Sequence, residues 1–470
     1  MKKIMFEQRR SEKQIRRNTY QFVNIRPGGN DTGLVQEIIA DPLKRKEINN
    51  EMMQMFPNIE QVGFVNLNIE ELELMMAGGE FCGNATRSTA YLALNGQPGE
   101  VAIKVSGVKD KLRAGVAQNG EAYAQMPIYQ DANRVSQDLE NPRNSIVYME
   151  GITQYVNWDT SSIEGKNPDE IKKQAMELMR EKGLDTSPAA GVMYVKETPQ
   201  GLEIVPVVYV RDINTLFYET ACGSGTTAVG LTLAKQSGSS IKDVTIYQPS
   251  GLPIKVSVDY DGNEFGYAQI QGPVEIQGTG TLTETEKGAY VIEQIFSPES
   301  LKKFLEEGNL VELYKRLFSK EPYFEQFSDE EVVGYFNDYV RNGLLFLAQD
   351  GKKTVGFGAA VPLSKEIALA DLGKQFGIDP ESTWYMADLG VDDEKFQRVG
   401  MAKQLVEARL NAMPKGTTAL MRTSVDNIAS LSLYHGLGFT EISGMIQEVE
   451  KERTDNEVKK DKRIFLSKII

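Results

Sequence analysis

Two short stretches of this chain echo each other: Glu80-Phe81-Cys82-Gly83-Asn84-Ala85-Thr86-Arg87 and Thr220-Ala221-Cys222-Gly223-Ser224-Gly225-Thr226-Thr227. They hold the only two cysteines among 470 residues. Each cysteine is followed by glycine, a small polar residue and a small-residue run suited to a helix, Ala85 to Leu94 in one case and Thr227 to Ala234 in the other. A thiol just ahead of a helix meets unpaired backbone N–H groups and the positive end of the helix dipole. That setting brings a thiolate within reach near neutral pH. Two such thiols facing one carbon would act as base and acid on opposite faces of a stereocentre. Taken singly, a cysteine is more often a small packed hydrophobe. With no secretory leader in view, two cysteines in so long a chain do not suggest a disulfide framework. The shared Cys-Gly-polar context makes Cys82 and Cys222 a catalytic pair.

The surroundings of the two motifs also repeat. Thr19 to Ile25 reads as a first strand closed by Arg26-Pro27-Gly28-Gly29, with Asn30 in the loop that follows. Gly-Asn-Asp is turn chemistry in any fold. Residues 42–56 read as a helix, and Val62 to Val65 and Leu72 to Met76 as strands. Residues 100–128 alternate apolar and polar in short runs that suit strands wrapped around the cysteine helix. The plan restarts at Ile146-Val147-Tyr148-Met149 and passes through a charged helix from about Pro168 to Lys182. The strand pair Gly191 to Val195 and Leu202 to Val210 then leads to the second cysteine. The expected class is α+β, with two like halves, 18–140 and 141–285, each a set of strands around a central helix. Their seam is where ligands commonly bind.

Gly278-Thr279-Gly280 through Lys287-Gly288 reads as a linker. From about Tyr290 to residue 470 the pattern becomes that of a separate α/β domain. Helices are expected at 298–307, 311–319 and 328–342, the last with Ser328 and Glu331 suited to a capping box. A hairpin turning at Asp350-Gly351, a strand from Trp384 to Val391 and a helix from Lys403 to Asn411 follow. The net charge of −14 disfavours nucleic acid or an anionic membrane as partner. No apolar stretch approaches the ~20 residues needed to span a bilayer. Residues 1–17 form a basic leader without an apolar segment, so a cytoplasmic protein is expected.

Cys82-Gly83-Asn84 and Ala221-Cys222-Gly223-Ser224-Gly225 resemble the two catalytic motifs of diaminopimelate epimerase and related cofactor-independent amino-acid racemases. Gly29-Asn30, Val105-Ser106-Gly107, Met126-Pro127 and Gln248-Pro249-Ser250-Gly251 match in the right order. Glu60-Gln61-Val62-Gly63-Phe64 and Gly78-Gly79-Glu80-Phe81 are closer to the histidine racemase branch of opine-metallophore pathways. The resemblance covers roughly the first 285 residues. It implies racemisation with neither pyridoxal phosphate nor a metal. It also implies substrate contacts from Asn30 and Glu60, and N–H groups of Gly83, Asn84, Gly223 and Ser224 on the substrate carboxylate. The Asn-Pro-His and Glu-Arg-Gly segments of diaminopimelate epimerases are missing, since His435 is the only histidine and Arg211 to Phe217 stands at the second segment. Histidine or another α-amino acid therefore fits better than diaminopimelate. The resemblance also allows a homodimer. The competing readings are an isomerase of another compound, of the phenazine-biosynthesis type, and an amino-acid sensor controlling the downstream domain.

In the last domain, Gln397-Arg398-Val399-Gly400-Met401-Ala402 running into a helix resembles the pyrophosphate loop of GNAT-type N-acetyltransferases. Asn427 followed by Tyr434-His435-Gly436-Leu437-Gly438-Phe439 matches that family's second landmark. The resemblance implies acetyl-CoA as cofactor, held by that loop together with Leu389, Val391 and Asn427, and Tyr434 as the acid that protonates the leaving thiolate. Asp388 on the central strand is a candidate acceptor for the proton of a substrate amine. His435 reads as a surface or core histidine rather than a base.

Overall fold

The computed structural model describes residues 18–211, 214–321, 323–392, 395–396, 398–450 and 460–470; the basic leader lies outside them. The chain divides into two compact units, Tyr20–Thr279 and Gly280–Ile470, with Asn18 and Thr19 grouped with the latter.

In the first unit, β1 (Asn18–Pro27), β2 (Asp31–Val35), α1 (Pro42–Met55), β3 (Ile59–Asn66) and β4 (Glu73–Met76) precede the first cysteine helix, α2 (Gly83–Ala93). Strands β5 (Gly99–Val105), β6 (Leu112–Val116) and β7 (Ala122–Gln125) complete that half, and the short β8 (Val135–Gln137) follows. The second half runs β9 (Ser145–Met149), β10 (Ile152–Asn157), α3 (Pro168–Glu181), β11 (Ala189–Thr198), β12 (Gly201–Val210) and β13 (Thr215–Tyr218). It ends with α4 (Gly223–Ser237), β14 (Ile241–Tyr247), β15 (Pro253–Tyr260) and β16 (Phe265–Gly272).

The strand pairings show that the halves are copies of one plan. From β1 to β7, neighbours pair antiparallel, parallel, antiparallel, parallel, antiparallel and antiparallel. The series β9, β10, β11, β12, β14, β15 and β16 repeats those senses in the same order. β7 and β16 then pair antiparallel, joining the halves edge to edge.

The composition of α2 and α4 follows from their position. Every residue from Gly83 to Ala90 is buried, so the strands around α2 leave it no polar face. A helix enclosed on all sides needs small side chains if strands are to approach it at interior density. Four threonine hydroxyls turn back on the helices, whereas the buried hydroxyls of Ser88 and Thr232 have no partner among the described residues. Thr86 and Thr226 each donate to the carbonyl of the cysteine four residues earlier at 2.7 Å, and Thr89 and Thr227 do the same to Ala85 and Gly223 at 2.8 and 2.9 Å. Tight packing extends to α4, where a Cβ on Gly230 would lie 2.7 Å from a methyl of Val256 on β15.

In the second unit, the residues expected to form a linker are strand. β17 (Val274–Thr285) and β18 (Gly288–Ile295) pair antiparallel from Gly280↔Glu293 to Thr285↔Gly288. The Gly/Thr alternation that suggested a loop places β-branched threonines at every second position, and Thr283 is fully buried. Next come α5 (Pro298–Glu306), α6 (Leu310–Phe318) and α7 (Asp329–Asn342), the last with the Ser328–Glu331 capping box formed. The hairpin β19 (Leu344–Asp350) and β20 (Lys353–Pro362) is followed by α8 (Ile367–Gln375), which the sequence pattern did not signal.

The strand expected over 384–391 is two strands, β21 (Thr383–Met386) and β22 (Leu389–Val391), separated at Ala387-Asp388. α9 (Met401–Ala412), β23 (Thr418–Ser424), α10 (Ile428–Gly436), β24 (Thr440–Val449) and β25 (Asp461–Ile469) complete the chain. β21 pairs with β20 and in parallel with β23, whereas β22 pairs with β20. The ladder to β23 ends at Met386, and the sheet opens beyond it. One face of the sheet packs against α5 to α8 and the other against α9 and α10.

Gly107 provides a check on how the first cysteine is approached. Its φ is +75°, and a Cβ there would lie 2.7 Å from the backbone nitrogen of Phe81. Its neighbour Ser106 donates to the Glu80 carbonyl at 2.6 Å. Gly107→Ala is expected to destabilise the first unit by about 1–3 kcal/mol, read as a lower urea midpoint.

Candidate active sites

Cys82 and Cys222 are the N-cap residues of α2 and α4, with near-identical backbone angles of −137°/111° and −125°/110°. Each sulfur accepts the N–H three residues on, Ala85 or Gly225, at 3.3 Å. Both thiols are free and line one small cavity of about 70 Å³. Gly83, Asn84, Gly223 and Ser224 line it too. The two helix starts are in direct contact: Asn84 Nδ2 donates to the Ala221 carbonyl at 3.0 Å, and glycine at 83 and 223 leaves room for Ile270 between them. Arg87, fully buried, fixes Asn84 by donating Nε and Nη2 to its Oδ1 at 3.2 and 3.1 Å, and gives Nη1 to the Pro273 carbonyl at 3.1 Å. Burial draws that guanidinium down to about 10.

Beyond the helix starts, the partners of the two thiols differ. The Cys82 S–H donates to Gln61 Oε1 at 3.3 Å. Cys222 hydrogen-bonds the Glu219 carboxyl and approaches Ser224 Oγ at 3.5 Å, and Gln154 Nε2 donates to Ser224 Oγ at 2.9 Å. Thiolates near neutral pH, the expectation from helix position alone, are not what the closed site favours. Burial outweighs the N–H donors and pushes Cys82 up to about 12, and it raises Cys222 well above the usual thiol range, with Glu219 adding to the effect. Three carboxyls face the same cavity and are displaced the same way by burial: Glu60 to about 7, Glu219 to about 8, and Glu80 upward. Among the described residues that line it, none is lysine, arginine or histidine.

Asn30 is not a cavity residue. It is buried, its Nδ2 donates to Glu60 Oε2 at 2.7 Å, and its Oδ1 accepts from Gln61 Nε2 at 2.9 Å and Thr32 Oγ1 at 3.1 Å. These bonds tie Asn30 to Glu60, Gln61 and Thr32, behind the two residues that line the cavity. Thr220 anchors Glu60 from the other half, donating its hydroxyl to Oε1. Glu80, Glu219, Gln61 and Gln154 were not singled out from the sequence. An acidic residue just ahead of each cysteine was visible there, but at offsets of two and three residues it did not register as part of the repeat.

The second unit has its own cavity, about 350 Å³, at the opening where β22 parts from β23. Leu389, Val391, Ala402, Asn427 and Tyr434 line it. Gly400 (φ 88°) and Arg398 (φ 67°) turn the loop so that α9 starts with free N–H groups. Val399 and Met401 bury their side chains in the core, leaving only their backbone to serve a ligand, and Gln397 lies outside the described residues. Asn427 caps α10 through Ser430 N–H at 3.0 Å and donates to the Tyr323 hydroxyl at 3.0 Å. Tyr434, nearly buried, receives Arg409 Nη2 at 3.3 Å. Arg409, fully buried, also donates to the carbonyls of Ala359 and Asp388 at 2.8 and 3.2 Å, across the break between β21 and β22. His435 is a surface residue, 3.5 Å from Glu441.

The histidine racemase CntK N-terminal domain profile matches residues 19–283, more than half of the chain. The chain belongs to the histidine racemase family. A histidine racemase of Staphylococcus aureus is 30% identical over 283 residues, spanning 57% of this chain and 98% of that protein. One from Fusobacterium nucleatum is 29% identical over 275 residues, spanning 56% and 96%. A solved hydroxyproline epimerase of Agrobacterium vitis aligns with 57% of this chain and 93% of its own at 13% identity and a TM-score of 0.41. Residues 309–439 match the GNAT acetyltransferase family. This racemase-family enzyme therefore carries an acetyltransferase domain beyond the length of its curated relatives. The helix start after Gly400 and the open sheet beside it suit a coenzyme with a pyrophosphate, and GNAT membership implies acetyl-CoA.

Glu60 makes the racemase unit's stability depend on pH. Its unfolded carboxyl ionises near 4.5 and its folded one near 7, so between those values the folded state holds the extra proton. Stability from this group is therefore greatest at the acid end and falls as pH rises through that window. Glu60→Gln is expected to flatten the decline, by up to about 3 kcal/mol above pH 7, in urea unfolding measured across the window.

Proposed function

We propose that the racemase unit interconverts the two isomers of histidine through Cys82 and Cys222, with neither pyridoxal phosphate nor a metal, and that the acetyltransferase unit acetylates the D isomer. The observation that carries this reading is the pair of like-capped thiols opening into one cavity from two halves of repeated topology. One thiolate takes the α-proton and the opposite thiol returns one to the other face; exchanging the roles reverses the reaction. N–H groups at the two helix starts receive the substrate carboxylate as negative charge spreads onto it. The acidic lining supports an amino acid with a second basic group. Cationic groups brought against Glu60, Glu80 and Glu219 offset the negative charge that opposes a thiolate in this cavity. Resting thiols that ionise only with substrate in place also avoid wasteful oxidation.

The test is α-proton exchange in D2O by NMR. Wild type is expected to exchange and invert histidine, and Cys82→Ser and Cys222→Ser each to lose inversion by at least about 10²-fold. Binding without exchange would sink the racemase reading in favour of a sensor.

Racemisation has an equilibrium constant near one by symmetry and cannot by itself accumulate a D-amino acid. Acetyl-CoA, when bound, supplies an activated thioester, whose aminolysis is downhill. In this reading Asp388 takes the proton of the attacking amine and Tyr434 protonates the departing sulfur, roles supported by their lining of one cavity and by the Arg409 hydrogen bond to Tyr434. Carrying both activities on one chain raises the local concentration of product. The intact chain given L-histidine and acetyl-CoA is expected to carry conversion past the racemic midpoint as N-acetyl-D-histidine, seen by chiral chromatography. Free amino acid only, or the acetylated L isomer, would refute the coupling.

A further inference from the structure

The cavity of the acetyltransferase unit joins two unlike ends. Ala402, Ser430 and Tyr434 form the coenzyme side, and Tyr314, Phe318 and Arg422 the other, with Asp388 among the residues lining it. Arg422 stands opposite Phe465 on the neighbouring strand, and Ser424 opposite Arg463. Phe465 and Arg463 are two residues apart, so both guanidiniums rise from the same face of β23 and β25. That face is the one packed by α6 and α7, since Phe465 shares their core.

The two arginines differ in what they meet. Arg463 is paired with Glu325 at 2.5 Å and Asp461 at 2.8 Å, a pair that answers its charge. Arg422 is half-buried and gives Nη1 to the neutral amide oxygen of Gln447 at 2.6 Å; among the described residues no carboxylate is in ion-pair range. Glu366 is the acid whose charge reaches it, and burial pushes that carboxyl toward its neutral form. A guanidinium in this setting favours a ligand that brings the missing anion in a shape its fork can hold. Asp388 offers the opposite charge. Tyr339 and Tyr314 donate their hydroxyls to its Oδ2 at 2.6 and 3.0 Å, which fixes the carboxyl in the cavity wall.

We propose that Arg422 binds the α-carboxylate of the acetyl acceptor while Asp388 receives its ammonium. The acceptor is then a free α-amino acid, and neither a simple amine nor the N-terminus of a peptide. This deepens the reading that acetylation acts on the racemase product, and rests on it for the choice of amino acid.

The experiment uses the full chain with acetyl-CoA and three acceptors: D-histidine, histamine, which keeps ring and amine but lacks the carboxylate, and a peptide with an N-terminal histidine. Wild type is expected to prefer D-histidine, and Arg422→Gln to raise its KM at least about tenfold with kcat little changed. The poor turnover of histamine should not move, and α-proton exchange in the racemase unit serves as the folding control. Equal loss on D-histidine and histamine would show a structural role and overturn the anchor. So would a wild type that acetylates histamine or the peptide as well as D-histidine. If a different free amino acid is the acceptor and its KM depends on Arg422, the anchor stands and the product-trapping role falls.

Discussion

The structure of the first unit depends on enclosing two helices completely in strands. Enclosure favours small side chains, turns four threonine hydroxyls back onto the helix backbone, and brings the two helix starts to a shared cavity. Because the halves pair through β7 and β16 and meet through Asn84 and Ala221, those two ends converge. A thiol at each N-cap is then delivered to one cavity from two directions. In the proposed racemisation, chemistry at a stereocentre would follow from that convergence more than from any property of cysteine itself.

The same enclosure sets an electrostatic conflict. Helix N–H groups favour thiolates, while removal of water opposes them, and in the closed site removal of water prevails. The three glutamates share that conflict. In the proposed reaction a cationic ligand would offset the negative charge that these groups share, linking binding to activation.

The sequence showed much of this arrangement and missed the rest for physical reasons. The Cys-Gly repeat, the restart at Ile146 and the helices from Pro168, Pro298 and Ser328 were legible because caps and periodicity are local signals. Residues 278–288 misled because Gly-Thr alternation resembles a loop until a partner strand is known. The break at Ala387-Asp388 and the clasp of Arg409 across it were invisible, since an arginine in an amphipathic helix reads as solvated. Asn30, expected at the substrate by resemblance, is bonded to Glu60, Gln61 and Thr32 and is not among the residues that line the cavity. Of the cavity's three acids, Glu60 was named from the resemblance, whereas Glu80 and Glu219 were missed because they come from separate loops.

The unlike partners of the two thiols have a kinetic meaning. Cys82 leans on an amide, Gln61, whereas Cys222 leans on a carboxyl, Glu219. A racemase with mirror-related bases could treat both isomers identically, but this one has a neutral side and an acidic side. The overall equilibrium constant stays at unity, so the ratio of kcat/KM for the two directions is fixed by the Haldane relation. The individual constants are free to diverge. If the two thiols are the bases, as proposed, the difference between an amide and a carboxyl would let one isomer bind loosely and turn over fast while the other does the reverse.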